Sequence, residues 1–194
     1  MSRIQNHVII MRRIHNVRLP NPTSPASINP SYSILLNEKN YILDIIPFIQ
    51  ERTNQGEDWQ GDWLSPMGID LQINGGLGIT FSELTPEDIP TILNLLDKLW
   101  ENGVEGICPT IISCQKENLR TGLNIIKEVK NLNKDNRSKI IGAHLEGPFL
   151  SPEYRGAHPI DYICKPSIKE LEERISGLED QVKIMTIAPE LPGS

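Results

Sequence analysis

In the stretch IIGAHLEGPFL, residues 140–150, a run that begins like a buried strand ends on His144, Leu145 and Glu146. Gly147-Pro148 then forces the chain to turn. Side chains alternate across a strand, so His144 and Glu146 share one face. A buried carboxylate needs a cation or several hydrogen-bond donors. A metal ion would serve, because glutamate oxygen and histidine nitrogen are both ordinary zinc ligands. From the residues alone, Glu146 is either a metal ligand or half of a salt bridge, and His144 is a core histidine bonded to its neighbours. A second alternation, GIDLQIN at 68–74, puts Asp70, Gln72 and Asn74 on one face and Leu71 and Ile73 on the other, where they can pack on a helix. Three polar groups on an interior face must bond one another or a ligand. A plain hydrogen-bonded layer accounts for them as well as a site does. The loop segment YRGAHP, 154–159, offers Arg155 and His158 to an anionic or carbonyl-bearing ligand, or simply to solvent.

The remaining candidates are weaker. His7 and His15 lie far from this cluster along the chain and read as surface or structural residues. Cys108, Cys114 and Cys164 are odd in number and form no CxxC pair, so they read as idle or buried thiols in a reducing compartment.

The elements that must position these groups change character near Pro66. Before it, HVIIMRRIHNVRLP (7–20) and YSILLNEKNYILDIIP (32–47) are β-type runs. They are separated by the Pro/Ser/Asn loop NPTSPASINPS (21–31), and ERTNQGEDWQGDW (51–63) is a second polar loop. After Pro66 strands and helices alternate. GIDLQIN is a strand closed by Gly75-Gly76. Thr85-Pro86-Glu87-Asp88 opens a helix over 87–102, with a cap, a proline at the first turn and acids at the positive end of the dipole. VEGICPTIIS (104–113) is a strand and KENLRTGLNIIKEVKN (116–131) an amphipathic helix. KIIGAHLEG (139–147) is a strand. Ser167 and Glu170 make a capping box for the helix 168–176, and VKIMTIAPE (182–190) is the last strand. Four strands alternating with three helices predict a parallel α/β architecture with strands buried on both faces. Polar residues gather at the strands' carboxyl ends, at Asn74, Glu146 and Glu190, the catalytic face of an α/β barrel.

The 194 residues suffice for one large domain or two small ones, and 38% hydrophobic residues allow a core. The net charge of −6, with no basic patch, argues against a nucleic-acid partner. The most apolar run, YILDIIPFI, is broken by Asp44 and Pro47 and falls far short of the roughly 20 residues of a membrane span. The first residues hold too short an apolar run for a secretory signal, which predicts a cytoplasmic protein.

PMGIDLQINGGLG, GICPTIIS, GAHLEGPFLSPEYRGAHP and IMTIAPE occur in this order. Together they resemble the N-terminal half of the N-acetylglucosamine-6-phosphate deacetylase family of amidohydrolases. The resemblance implies a metal-dependent (β/α) barrel of TIM type, here incomplete at about four strands over 66–194. A small β-rich segment of a β-sandwich, 1–65, precedes it. It implies that Glu146 binds a divalent metal, zinc or similar, and that Ala157 and His158 contact the amino sugar. Gln72 and Asn74 match positions where many amidohydrolases carry a metal-binding histidine pair. As amides they bind a divalent metal weakly, which points to one essential metal. The implied reaction is hydrolysis of N-acetylglucosamine 6-phosphate to glucosamine 6-phosphate and acetate. A complete barrel uses about 250 residues, so the expected base and two further metal ligands have no matching positions here. The chain alone is therefore expected to be inactive, awaiting a complementing C-terminal half or acting as a homo-oligomer. Two alternatives stand beside this: a different amide substrate, or a non-catalytic half-barrel module.

Overall fold

The computed structural model describes residues 12–20, 30–49, 56–132 and 134–194. The chain divides into two compact units, Met1–Pro66 and Met67–Ser194.

In the first unit the strands are β1 (Arg12–Arg18), β2 (Ser31–Leu36), β3 (Ile42–Pro47) and β4 (Glu57–Asp58). They form one sheet in the order β3-β2-β1-β4, antiparallel except for the parallel β1–β4 pair. Ile14, Val17, Ile34 and Leu36 bury their side chains together, with Trp59 and Leu64 packed against them. The β1–β2 register slips between Ile14 and Val17, where Asn16 has a positive φ of 55°. His15 is buried and pairs Nδ1 with Ser33 Oγ at 3.0 Å, so it is structural rather than a surface residue. His7, the loop residues 21–29 and residues 50–55 lie outside the described residues.

The second unit carries β5 (Gly68–Ile73), the short pair β6 (Gly75–Gly76) and β7 (Ile79–Thr80), α1 (Ile89–Glu101), β8 (Val104–Ile112), α2 (Lys116–Asn131), β9 (Lys139–Ile140), β10 (Ala143–Glu146), α3 (Ile168–Ile175) and β11 (Val182–Thr186). Its parallel sheet runs β11-β10-β8-β5, with β9 paired to β8. Spatial order therefore equals chain order, and each step between neighbouring strands carries a helix. The core lies where α1 and α2 meet the sheet. Ile92, Leu95 and Leu96 of α1 and Leu119, Leu123, Ile126 and Val129 of α2 recur at helical spacing and are buried with Ile107 and Ile111 of β8. Each full burial of this kind stabilises the fold by roughly 1.5–3 kcal/mol. Alternation sends Cys108 and Thr110 to the opposite face of β8.

Several expectations are corrected. Burial on both faces holds for β8 and β10 but not for β5, where Ile69 and Leu71 are 55% and 57% exposed. The helices cover the inner strands, and of the two apolar residues expected to meet a helix only Ile73 joins the core. The 139–147 strand is two pieces, broken at Ile141-Gly142. A Cβ at Gly142 would come within 2.9 Å of the Gln181 carbonyl oxygen and strike Lys183, so the crossing admits no side chain. Gly75-Gly76 does not simply close a strand but pairs with Ile79–Thr80 across Leu77 and Gly78. Residues Pro86–Asp88 form a 3-10 turn ahead of α1, and Asp88 Oδ2 accepts both the Thr85 amide at 2.8 Å and its hydroxyl at 3.1 Å. At α3 the capping box is half made: Ser167 Oγ accepts from the Glu170 amide, while the Glu170 carboxylate turns to Arg174 at 2.8 Å. The last strand stops at Thr186, so Glu190 lies beyond it, exposed.

Candidate functional site

β10 sits between β8 and β11 and sets the site by its register. His144 pairs with Thr110, and Glu146 stands between Ile112 of β8 and Thr186 of β11. Both nitrogens of the His144 ring are engaged. Nδ1 meets Thr110 Oγ1 at 3.2 Å and Nε2 meets Thr186 Oγ1 at 2.8 Å. The ring is 4% exposed, and burial lowers its pKa against the opposing pull of the nearby Glu146 charge. His144 is thus a tie between three strands, as its position one step deeper than Glu146 suggests.

Glu146, half-buried at the end of β10, faces a cavity of about 610 Å³. Its Oε2 accepts from Gln72 Nε2 at 3.3 Å, and its Oε1 lies 3.7 Å from His158 Nε2. Among the described residues the basic side chain beside its carboxylate is this imidazole, not the lysine or arginine of the salt-bridge alternative. Gln72, Asn74, Glu146, Ala157 and His158, far apart in sequence, all line the one cavity. Tyr154 and Arg155 line it too. Arg155 Nη1 donates to the His158 carbonyl at 2.6 Å and so bends the loop over its own base. The loop returns to the sheet through the Ala188 amide, which donates to the Phe149 carbonyl at 2.8 Å.

Two contributors have little signal in the sequence. Ser113, one residue past β8, contacts His158, and Thr186 ends β11 at the cavity wall. Their only mark is a hydroxyl at the carboxyl end of a strand, a common residue in a common place. Glu190, by contrast, is not among the cavity's lining residues.

The donor set can be tested against a metal. Among the described residues no group of three or more His, Cys, Asp and Glu converges. The cavity offers one carboxylate, two side-chain amides and an imidazole whose Nδ1 already accepts a hydrogen bond. Zinc takes about three protein ligands and a water, so these residues by themselves do not fit one. The thiols offer no alternative chemistry. Burial pushes Cys114 up to about 11 and raises Cys108 and Cys164 as well, so all three remain protonated at neutral pH.

A polar cluster in a cavity at the carboxyl ends of successive parallel strands defines an α/β protein of the class that carries its ligand site at those ends. The chain is homologous, over about three quarters of its length, to N-acetylglucosamine-6-phosphate deacetylases. It is 37% identical to the deacetylase of Caenorhabditis elegans over 155 residues, which is 76% of this chain and 37% of that protein. Against the Homo sapiens deacetylase it is 34% identical over 148 residues, 74% of this chain and 36% of the other. No family model matches the chain. Its fold resembles the crystal structure of the Pasteurella multocida deacetylase, with a TM-score of 0.66 at 25% identity, covering 94% of this chain and 46% of that one. The Mycobacterium smegmatis deacetylase shares the fold at a TM-score of 0.68 and 19% identity. The chain therefore spans less than half the length of these relatives.

Proposed function

We propose that the chain carries the amino-sugar-recognising part of a deacetylase that hydrolyses N-acetylglucosamine 6-phosphate to glucosamine 6-phosphate and acetate. The observation that carries this reading is the convergence of Glu146, Gln72 and His158 on one cavity, in a chain homologous to these deacetylases. The strand order supports a TIM-type (β/α) barrel represented by about four strands over 66–194. The β-rich segment 1–65 belongs, in this reading, to a β-sandwich. Ala157 and His158 contact the sugar. Glu146 supplies one ligand of a divalent metal, and the amides of Gln72 and Asn74 a weaker second position. The described donor set is too short for a metal on its own, so the isolated chain is inactive. The remaining ligands and the base come from outside these 194 residues, from further chain, a complementing half or a second copy. Free thiols and the absence of any described helix long and apolar enough to cross a membrane suit a cytoplasmic setting.

Titration of the chain with N-acetylglucosamine 6-phosphate, followed by amide NMR, tests the reading. Shifts confined to the cavity residues, weakened by His158→Ala and absent with glucose, are expected. Equal shifts with unrelated sugars, or none, overturn it. Acetate release by the chain alone in the presence of zinc would refute its inactivity.

A further inference from the structure

We propose that Ser113 is a positioning residue that fixes His158 in one tautomer, with its proton on Nε2 and directed into the cavity. The inference deepens the reading above and rests on it for the identity of the ligand. The Ser113 backbone amide donates to His158 Nδ1 at 3.3 Å. A peptide N–H can only donate, so Nδ1 must offer its lone pair, and a neutral ring then carries its hydrogen on Nε2. The Ser113 hydroxyl, 3.0 Å from the same nitrogen, gives its one proton to it in this tautomer, and the Glu146 carbonyl at 3.4 Å is the longer, competing acceptor. Ser113 and His158 are 4% and 8% exposed, so water cannot readily replace these bonds. The hydroxyl fills the space that a side chain at 147 would need. Gly147 turns with φ +91°, and any Cβ there would collide with Ser113 Oγ. Arg155 holds the backbone of His158 while Ser113 holds its ring.

The chemistry that follows is specific. His158 presents an N–H beside Glu146, 3.7 Å from its Oε1. It recognises an acceptor oxygen, a carbonyl or a sugar hydroxyl. A histidine that ligates a metal normally donates its other N–H to a supporting group. Here that other nitrogen accepts, so His158 is not a metal ligand and the cavity's imidazole is reserved for substrate oxygen.

The test is long-range proton–nitrogen NMR of the chain labelled with 15N-histidine, with His158→Gln used to assign the ring. The expected result is an unprotonated Nδ1 and a protonated Nε2 in the wild type and in Ser113→Thr, which keeps the hydroxyl. Ser113→Ala keeps the backbone amide on Nδ1 and loses the hydroxyl, so the nitrogen pattern should persist while N-acetylglucosamine 6-phosphate binds roughly two- to tenfold more weakly. A protonated Nδ1 in the wild type overturns the proposal. So does loss of the Nε2 proton on adding zinc, or a Ser113→Ala chain that matches the wild type in affinity. The nitrogen pattern is read without sugar. A correct pattern with no sugar binding therefore refutes the deacetylase reading and leaves the tautomer assignment standing.

Discussion

Replacing Thr110 and Thr186 by valine, one at a time, probes the tie that seats Glu146. Each change deletes one hydroxyl partner of the His144 ring and keeps the β-branched shape that suits a strand. The two costs should differ because the two sites differ in access to water. Thr110 is fully buried. Its loss leaves Nδ1 of a 4%-exposed ring with no partner, and an unsatisfied buried group costs about 1–3 kcal/mol. We expect the upper half of that range, about 2–3 kcal/mol. Thr186 is exposed at the cavity wall, so water can take its place on Nε2, and about 1 kcal/mol or less is expected. Urea unfolding followed by circular dichroism gives both values, with an unchanged slope showing that the midpoint shift is a stability change. Removing the ring as well, in His144→Leu, should make the Thr110→Val cost collapse, because the hydroxyl then has no nitrogen to leave orphaned. If Thr186→Val costs as much as Thr110→Val, or if the Thr110→Val cost survives in the His144→Leu background, the ring is not the partner that matters and the reasoning fails.

Three other outcomes follow from the packing and charges. Leu123→Ala, at a fully buried position of α2, should destabilise the chain by about 2–5 kcal/mol in the same unfolding assay. The Arg137 guanidinium grips Asp97 through two bonds of 2.7 Å and holds its carboxyl below the ordinary value. That stability is present above the unfolded aspartate pKa and is lost as pH falls through the lowered folded one. Acid unfolding of Arg137→Gln should therefore show a flatter dependence below about pH 4 than the wild type. Cys108 and Cys114, buried and with raised pKa values, should resist iodoacetamide in the native chain, with all three thiols reacting once urea is added; mass spectrometry counts the labels.

The alternation of strands and helices after Pro66 was legible because each element carried a strong local pattern: the 3.6-residue spacing of α1 and α2, the apolar run of β8. Glu146 was legible for the opposite reason, as a charge where the pattern demanded an apolar residue. What the residues did not reveal was set by contacts distant in sequence. The need for glycine at 142 comes from the backbone of Gln181, 39 positions later. The exposure of Leu71 depends on which strands the helices cover. Ser113 became a site residue only through the loop that folds His158 back onto it across 45 positions. Partnership of that kind leaves no local pattern to read.

The coincidence of chain order and strand order has a consequence for how the second unit is made. Each new strand of the parallel sheet docks on the one finished just before it, so no step waits for a distant segment to return. The unit can grow vectorially as it emerges from the ribosome. Within this sheet β8 and β10 are paired on both sides, so its opening should reach the β8–β10 pair last. Glu146, on an inner strand, is therefore held by the part of the sheet that opens least.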